Sequence, residues 1–136
     1  MRVVADSNVV ISALVFGGAP KLLLEVAGRR QIALIASEAI LSEIAIVLVR
    51  KFRWSPERTE GEMSEIRRFA EIVSPGVAIS AGMDPDDDRI LEAAVGGNAQ
   101  FIATGDGHLL RMRSFEGIEI GTVRSLLDRL RAEVKG

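Results

Sequence analysis

The chain of 136 residues contains no cysteine, no tyrosine and only one histidine, His108. Without cysteine, disulfide scaffolds, zinc knuckles, iron–sulfur sites and thiol nucleophiles are excluded. A single histidine excludes a multi-histidine metal site within one chain. Aromatics reach 4%, as five Phe and one Trp, so the core is aliphatic and a base-stacking sheet of the kind used by many single-strand binders is not expected. No apolar run reaches the roughly 18 residues of a membrane helix, and the opening MRVVADSN lacks the apolar stretch of a signal peptide. The expectation is a cytoplasmic protein with no membrane partner. Neither a Gly-x-x-x-x-Gly-Lys-Ser/Thr loop nor a Gly-x-Gly-x-x-Gly turn is present, which argues against a nucleotide cofactor.

What is present describes one folded domain over residues 1–136. Hydrophobic residues make up 48% and charged residues 26%, a balance unlike that of a disordered chain. A chain of this length buries roughly two-thirds of its unfolded surface and needs no staple. Formal net charge is −2, yet Arg supplies 14 of the 17 cations, and guanidinium grips phosphate better than ammonium does. The twelve Glu are scattered. Of seven Asp, six fall at three places: Asp6, the run Asp84, Asp86, Asp87 and Asp88, and Asp106.

Short apolar runs at 3–5, 32–36, 77–79, 101–103 and 118–120 read as strands. Between them lie helical stretches: 9–14, 21–27, about 38–51, 56 to about 72, about 89–95, 108–112 and 122–134. Ser37 opens the third of these, and Ser55-Pro56 is an N-cap followed by proline at the first helical position. Asp84–Asp88 reads as a loop leading into the next helix. Unalternating apolar strands separated by helices imply an α/β fold, a three-layer α/β/α sandwich around a central, mostly parallel sheet.

In such sheets ligands sit beyond the carboxyl ends of the strands. Asp6 and Asp106 each follow a strand directly, and Asp88 starts a helix, so acids from distant stretches converge at one rim. Glu43 adds a fourth. Its neighbours at i±3 and i±4 are Ala39, Ile40, Ile46 and Val47, so it shares a face with packing residues, where a carboxylate needs a partner. Carboxylates without His or Cys suit a hard ion bound by oxygen, Mg²⁺ above all. One or two such ions support phosphodiester cleavage.

Each acid also has a plainer use. Asp6 can serve as an N-cap, Asp84–Asp88 as a solvated turn and cap, and Asp106-Gly107 as a turn. His108 reads as a surface or helix-start residue, and Trp54 as a packing anchor. Arg124, Arg129 and Arg131 read as a solvated helix face, with phosphate contact as the lesser use. The stripes 22–24 and 47–49 read as core or subunit interface. A receiver-type phosphoacceptor also uses a parallel sheet with strand-end Asp and Mg²⁺, but it needs a lysine after its last strand, where this chain has Gly121-Thr122-Val123-Arg124.

Asp6-Ser7-Asn8-Val9, Ser42-Glu43, Asp84-Pro85-Asp86-Asp87-Asp88 before Ile90-Leu91-Glu92-Ala93-Ala94, and Thr104-Gly105-Asp106 together resemble the PIN-domain ribonucleases. The likeness is to the branch described as toxin components of toxin–antitoxin systems (VapC-like), and it covers nearly the whole chain. The resemblance implies an endoribonuclease dependent on Mg²⁺ or Mn²⁺, one or two ions, with RNA as substrate. By position, Asp6, Glu43, Asp88 and Asp106 become the catalytic, metal-binding quartet, Asn8 and Thr104 hold the acids in place, and Asp87 or Asp86 can share the third role. It further implies a homodimer inhibited by a cognate antitoxin, or, among related domains, an RNA-maturation nuclease without one.

Overall fold

The structure, a computed structural model, describes residues 1–76, 78–81 and 84–135. β1 (Arg2–Ala5) leads into α1 (Ser7–Val15) and α2 (Gly18–Gly28), then β2 (Ala33–Ala36), α3 (Glu38–Arg50), α4 (Pro56–Phe69) and β3 (Glu71–Ile72). The second half runs α5 (Pro85–Gly96), β4 (Phe101–Ala103), α6 (Gly107–Met112), β5 (Ser114–Phe115), β6 (Ile118–Gly121) and α7 (Val123–Lys135). Among the described residues no single helix is long and apolar enough to cross a membrane.

Among the described residues six strands form one sheet of order β3-β2-β1-β4-β6-β5. All neighbours are parallel except β5 and β6. Successive strand residues point to opposite faces, yet Val3, Val4, Phe101, Ile102 and Ala103 are all buried. The central strands are therefore covered on both sides, which is why they read as unbroken apolar runs. The chain moves outward from β1 through β2 to β3, then returns by α5 to β4 on the other side of β1. Right-handed crossovers running in opposite directions lie on opposite faces, and α5 packs across β1, β2 and β4. The β1/β4 boundary is the switch point where such sheets open a crevice.

Every helix but α2, which starts after Gly17, begins at a side chain that accepts a first-turn amide. Ser37 accepts from the Ile40 N–H (3.3 Å) and Ser55 from that of Arg58 (3.1 Å). Trp54 is buried with the Arg58 guanidinium 3.7 Å over its ring, an anchor between α3 and α4. Leu23 and Leu48 are wholly buried while Leu22 and Val49 are exposed, so each apolar stripe divides between core and surface.

Four sequence expectations change. The α4 helix stops at Phe69 instead of continuing to Ile72, because Ala70 turns extended and Glu71–Ile72 pairs with β2. Of the strand expected at 77–79, Val77 lies outside the described residues, and Ala78 and Ile79 are in no strand; the Ile79 N–H is taken by Glu92 (2.7 Å) instead of a ladder. Asp86, Asp87 and Asp88 are not loop residues but the first turn of α5, which Asp84 caps by accepting the Asp86 N–H (2.9 Å). The antiparallel β5–β6 hairpin was not foreseen. It turns through Glu116 and Gly117, both at positive φ (48° and 80°), the two-residue geometry that matches strand twist.

Candidate metal centre

The last β1/β4 pair in register is Ala5 opposite Ala103. The Asp6 N–H continues that ladder one step by donating to the Ala103 carbonyl (2.9 Å), which fixes Asp6 beside Thr104. Asp6 then caps α1, its Oδ1 accepting the Asn8 N–H (3.2 Å), while its Oδ2 accepts the Thr104 hydroxyl (2.7 Å). The same Thr104 Oγ1 accepts the Asp106 N–H (3.0 Å), and Asp106 Oδ2 caps α6 at the Leu109 N–H (3.3 Å). Thr104 is almost fully buried, so one hydroxyl with a fixed proton direction ties two acids across the switch point.

Glu43 arrives from α3. It is half-buried, with Ile40 and Ile44 packed beneath and Ala39 and Ile46 exposed; the wholly packed face expected for it is present on one side only. Its partner is the buried Ser7 hydroxyl, which donates to Oε2 at 2.7 Å. Sequence reasoning missed Ser7, although it stands inside the Asp6-Ser7-Asn8 motif. Nothing local marks a hydroxyl that meets a helix 36 positions away.

The start of α5 supplies the remaining acids. Asp6, Glu43, Asp84, Asp86, Asp87 and Asp106 line one cavity of about 210 Å³, with Asn8 and His108. Asp88 does not line it. One residue of α-helix turns the side chain by about 100°, so Asp87 faces the cavity while Asp88 is buried on another face and accepts the Ala81 N–H (3.1 Å). Asp88 shares that face with Glu92, one turn on, which accepts the Ile79 N–H. Of the acids in the first turn of α5, Asp86 and Asp87 line the cavity with Asp6, Glu43 and Asp106, and the expected Asp88 does not. Larger cavities open elsewhere, such as one of about 450 Å³ along Ser37 and Glu92; composition, not size, distinguishes the acidic one.

Its electrostatics follow from crowding. Burial pushes the Asp6 carboxyl up against the pull of Thr104 and Asn8, and the charges of Asp106 and Asp86 add to the rise. Burial also raises Glu43 despite the Ser7 bond, with Asp86 adding to it. Asp87 is pushed up to about 6, first by burial, then by the charges of Asp106, Asp6 and Asp84. Acids so placed hold protons for want of a cation. The donor set, all carboxylate and amide oxygen apart from His108, fits a hard divalent ion. Among the described residues no three of these side chains converge closely enough to enclose an ion by themselves.

A family model described as PIN domain matches residues 2–108, a span that runs from β1 through Asp106. The chain belongs to the PIN-domain family. PIN domains are nucleases. The crystal structure of VapBC2 from Rickettsia felis, bound to a DNA fragment from their promoter, contains a chain with the same fold. It superposes with a TM-score of 0.63 at 13% identity, covering 90% of this chain and 98% of that one. No curated protein sequence matches the chain. The PIN-domain match confirms the expected α/β architecture, and among the described residues seven helices flank a sheet with one antiparallel edge.

Proposed function

We propose that this PIN domain is a Mg²⁺- or Mn²⁺-dependent endoribonuclease and the toxin of a type II toxin–antitoxin pair, acting in the cytoplasm. The observation that carries the proposal is the convergence of six carboxylates from four separate chain segments on one small cavity at the switch point. PIN domains in general use divalent metal ions. Asp6, Glu43, Asp87 and Asp106 would hold one or two ions, with Asp86 beside Glu43. A bound ion supplies positive charge for the phosphodiester oxygens and an acidified water.

The chain's own residues supply the geometry. Thr104 holds Asp6 and Asp106 at a set separation, and Ser7 aims Glu43. The α5 cap at Asp84 sets the helix rotation that presents Asp87. A toxin needs a surface for its antitoxin and for a second copy. Phe16, Leu22, Ile46 and Val49 are large apolar side chains left exposed, which supports protein partners; likeness in fold to a chain of the VapBC2 complex supports the same reading.

Purified protein is expected to cleave RNA with Mg²⁺ or Mn²⁺ and to stop with chelator, and Asp6→Asn to abolish cleavage. Full activity of Asp6→Asn, or activity in chelator, overturns the proposal. Light scattering tests the homodimer. Relief of expression-induced growth arrest by the co-expressed neighbouring reading frame tests the antitoxin, and cleavage without growth arrest favours RNA maturation.

A further inference from the structure

Three arginines of the last helix look alike in sequence, and the fold separates them. Arg129 is ion-paired with Glu119 and lies over the Phe101 ring. Arg124 and Arg131 have no acidic partner within ion-pair distance among the described residues, and both line cavities. The first cavity, about 470 Å³, is lined by Asn8 and Asp106, which also line the acidic centre, and by Val9, Pro20, Val123 and Arg124. The second, about 400 Å³, starts from that same Arg124 and runs between α2 and α7 past Lys21 and Arg131. The three cavities form a chain linked by shared residues.

We infer that single-stranded RNA leaves the acidic centre along this route, with the nucleotide next to the cleaved phosphate in the Asn8–Arg124 cavity and the following phosphates on Arg124, Lys21 and Arg131. This rests on the RNA-hydrolysing reading of the acidic site. Among the described residues no lysine or arginine lines the acidic centre, so phosphates beyond the one at the centre need cations from elsewhere on the surface. Arg124 is the cation on the cavity that shares Asn8 and Asp106 with it. The cavities of about 470 and 400 Å³ lie within the roughly 300–1,000 Å³ of small-ligand sites, and the Val9, Pro20 and Val123 walls give a base or ribose apolar contact. Glu25 and Asp128 also line the second cavity, so three cations against two acids favour backbone contact over tight specific capture.

The test measures binding of a labelled ten-nucleotide single-stranded RNA, with Mg²⁺, to Asp87→Asn protein in which cleavage is arrested. Adding Arg124→Ala with Arg131→Ala is expected to weaken binding about tenfold and to flatten the log–log salt dependence by about 1.4, at about 0.7 per lost phosphate contact. Arg50→Ala with Arg58→Ala, charges that line neither cavity, leaves the slope unchanged. In the cleaving protein the Arg124/Arg131 pair raises KM for the ten-nucleotide RNA and leaves cleavage of a dinucleotide intact. If wild type cleaves RNA and the pair changes neither slope nor KM, the route is overturned while the nuclease reading stands, and the α2–α7 groove belongs to a protein partner. If wild type does not cleave but RNA binding depends on the pair, the route stands and the nuclease reading falls. If RNA is neither cut nor bound, both fall.

Discussion

Asp87→Asn is expected to make the metal-free protein more stable while destroying its function. The Asp87 carboxyl rises from an ordinary 3.8 to about 6, so the folded state prefers the proton more than the unfolded state does. Its stabilising contribution is fully present below pH 4 and is lost as pH rises through 6, leaving the charged form as a cost at pH 7.5. The gap between 3.8 and about 6, at about 1.4 kcal/mol per pH unit, sets a ceiling of about 3 kcal/mol. Asp87 is partly exposed, and screening by water and salt halves that ceiling to about 1.5 kcal/mol. Asp87 also sits in the first turn of α5, where a negative charge gains about 0.5 kcal/mol from the helix terminus, and Asn forfeits that. The net expectation is about 1 kcal/mol in favour of Asp87→Asn at pH 7.5, a rise in Tm of about 3–5 °C for a chain of this size. Thermal melts in chelator at pH 4.5 and 7.5 read it directly: wild type loses stability between the two, and the variant loses less. Adding Mg²⁺ then reverses the order, because only wild type gains fully from a ligand that binds the folded state. A variant that melts at or below wild type at pH 7.5 in chelator, or with an unchanged pH response, refutes the electrostatic reasoning.

Thr104→Val strips Asp6 of a donor and the Asp106 N–H of its acceptor in a buried position, so it costs about 2 kcal/mol; the denaturant midpoint checks this, and Thr104→Ser restores it. Asp88→Asn keeps an oxygen for the Ala81 N–H and leaves RNA cleavage within about threefold, whereas Asp87→Asn lowers it by at least about a hundredfold; equal losses in a cleavage assay return the third site to Asp88. Gly97→Ala places a Cβ 2.5 Å from Ile35 Cγ2 and 3.0 Å from the Ala93 carbonyl, which is expected to cost about 1–3 kcal/mol in equilibrium unfolding.

The difference between Asp87 and Asp88 shows where sequence reading reaches its limit. Strands β1, β2 and β4 are legible because burial on both faces leaves no polar alternation, and β6 because Ile118 and Ile120 alternate with the exposed Glu119. Their order explains why Asp6 and Asp106 meet. Ser55-Pro56 announces α4, and Asp84-Pro85 is the same signal for α5; reading the Asp run as a loop placed the helix start four residues late and lost the rotation that separates 87 from 88. β3 and β5 are two residues each, too short for any period, and exist because a neighbouring strand offers its edge. Ser7 and the half-exposure of Glu43 depend on how α1 meets α3, a tertiary fact with no local trace.

The plain and the functional uses of the acids prove to be one device. Asp6, Asp84 and Asp106 cap α1, α5 and α6, and capping is what immobilises them at the cavity. A carboxylate has about four lone-pair directions, so a capping bond leaves capacity for another ligand. The three helix starts bring on the order of +0.5 charge each at most, and less from the short α6. Six carboxylates far exceed that. Burial first, and then the neighbouring carboxylate charges, raise Asp6, Glu43 and Asp87, and with no lysine or arginine among the described lining residues a divalent ion would relieve both. The same crowding that lowers the stability of the metal-free protein at neutral pH is therefore what gives an ion its purchase, and the two effects disappear together when one of the crowded charges is removed.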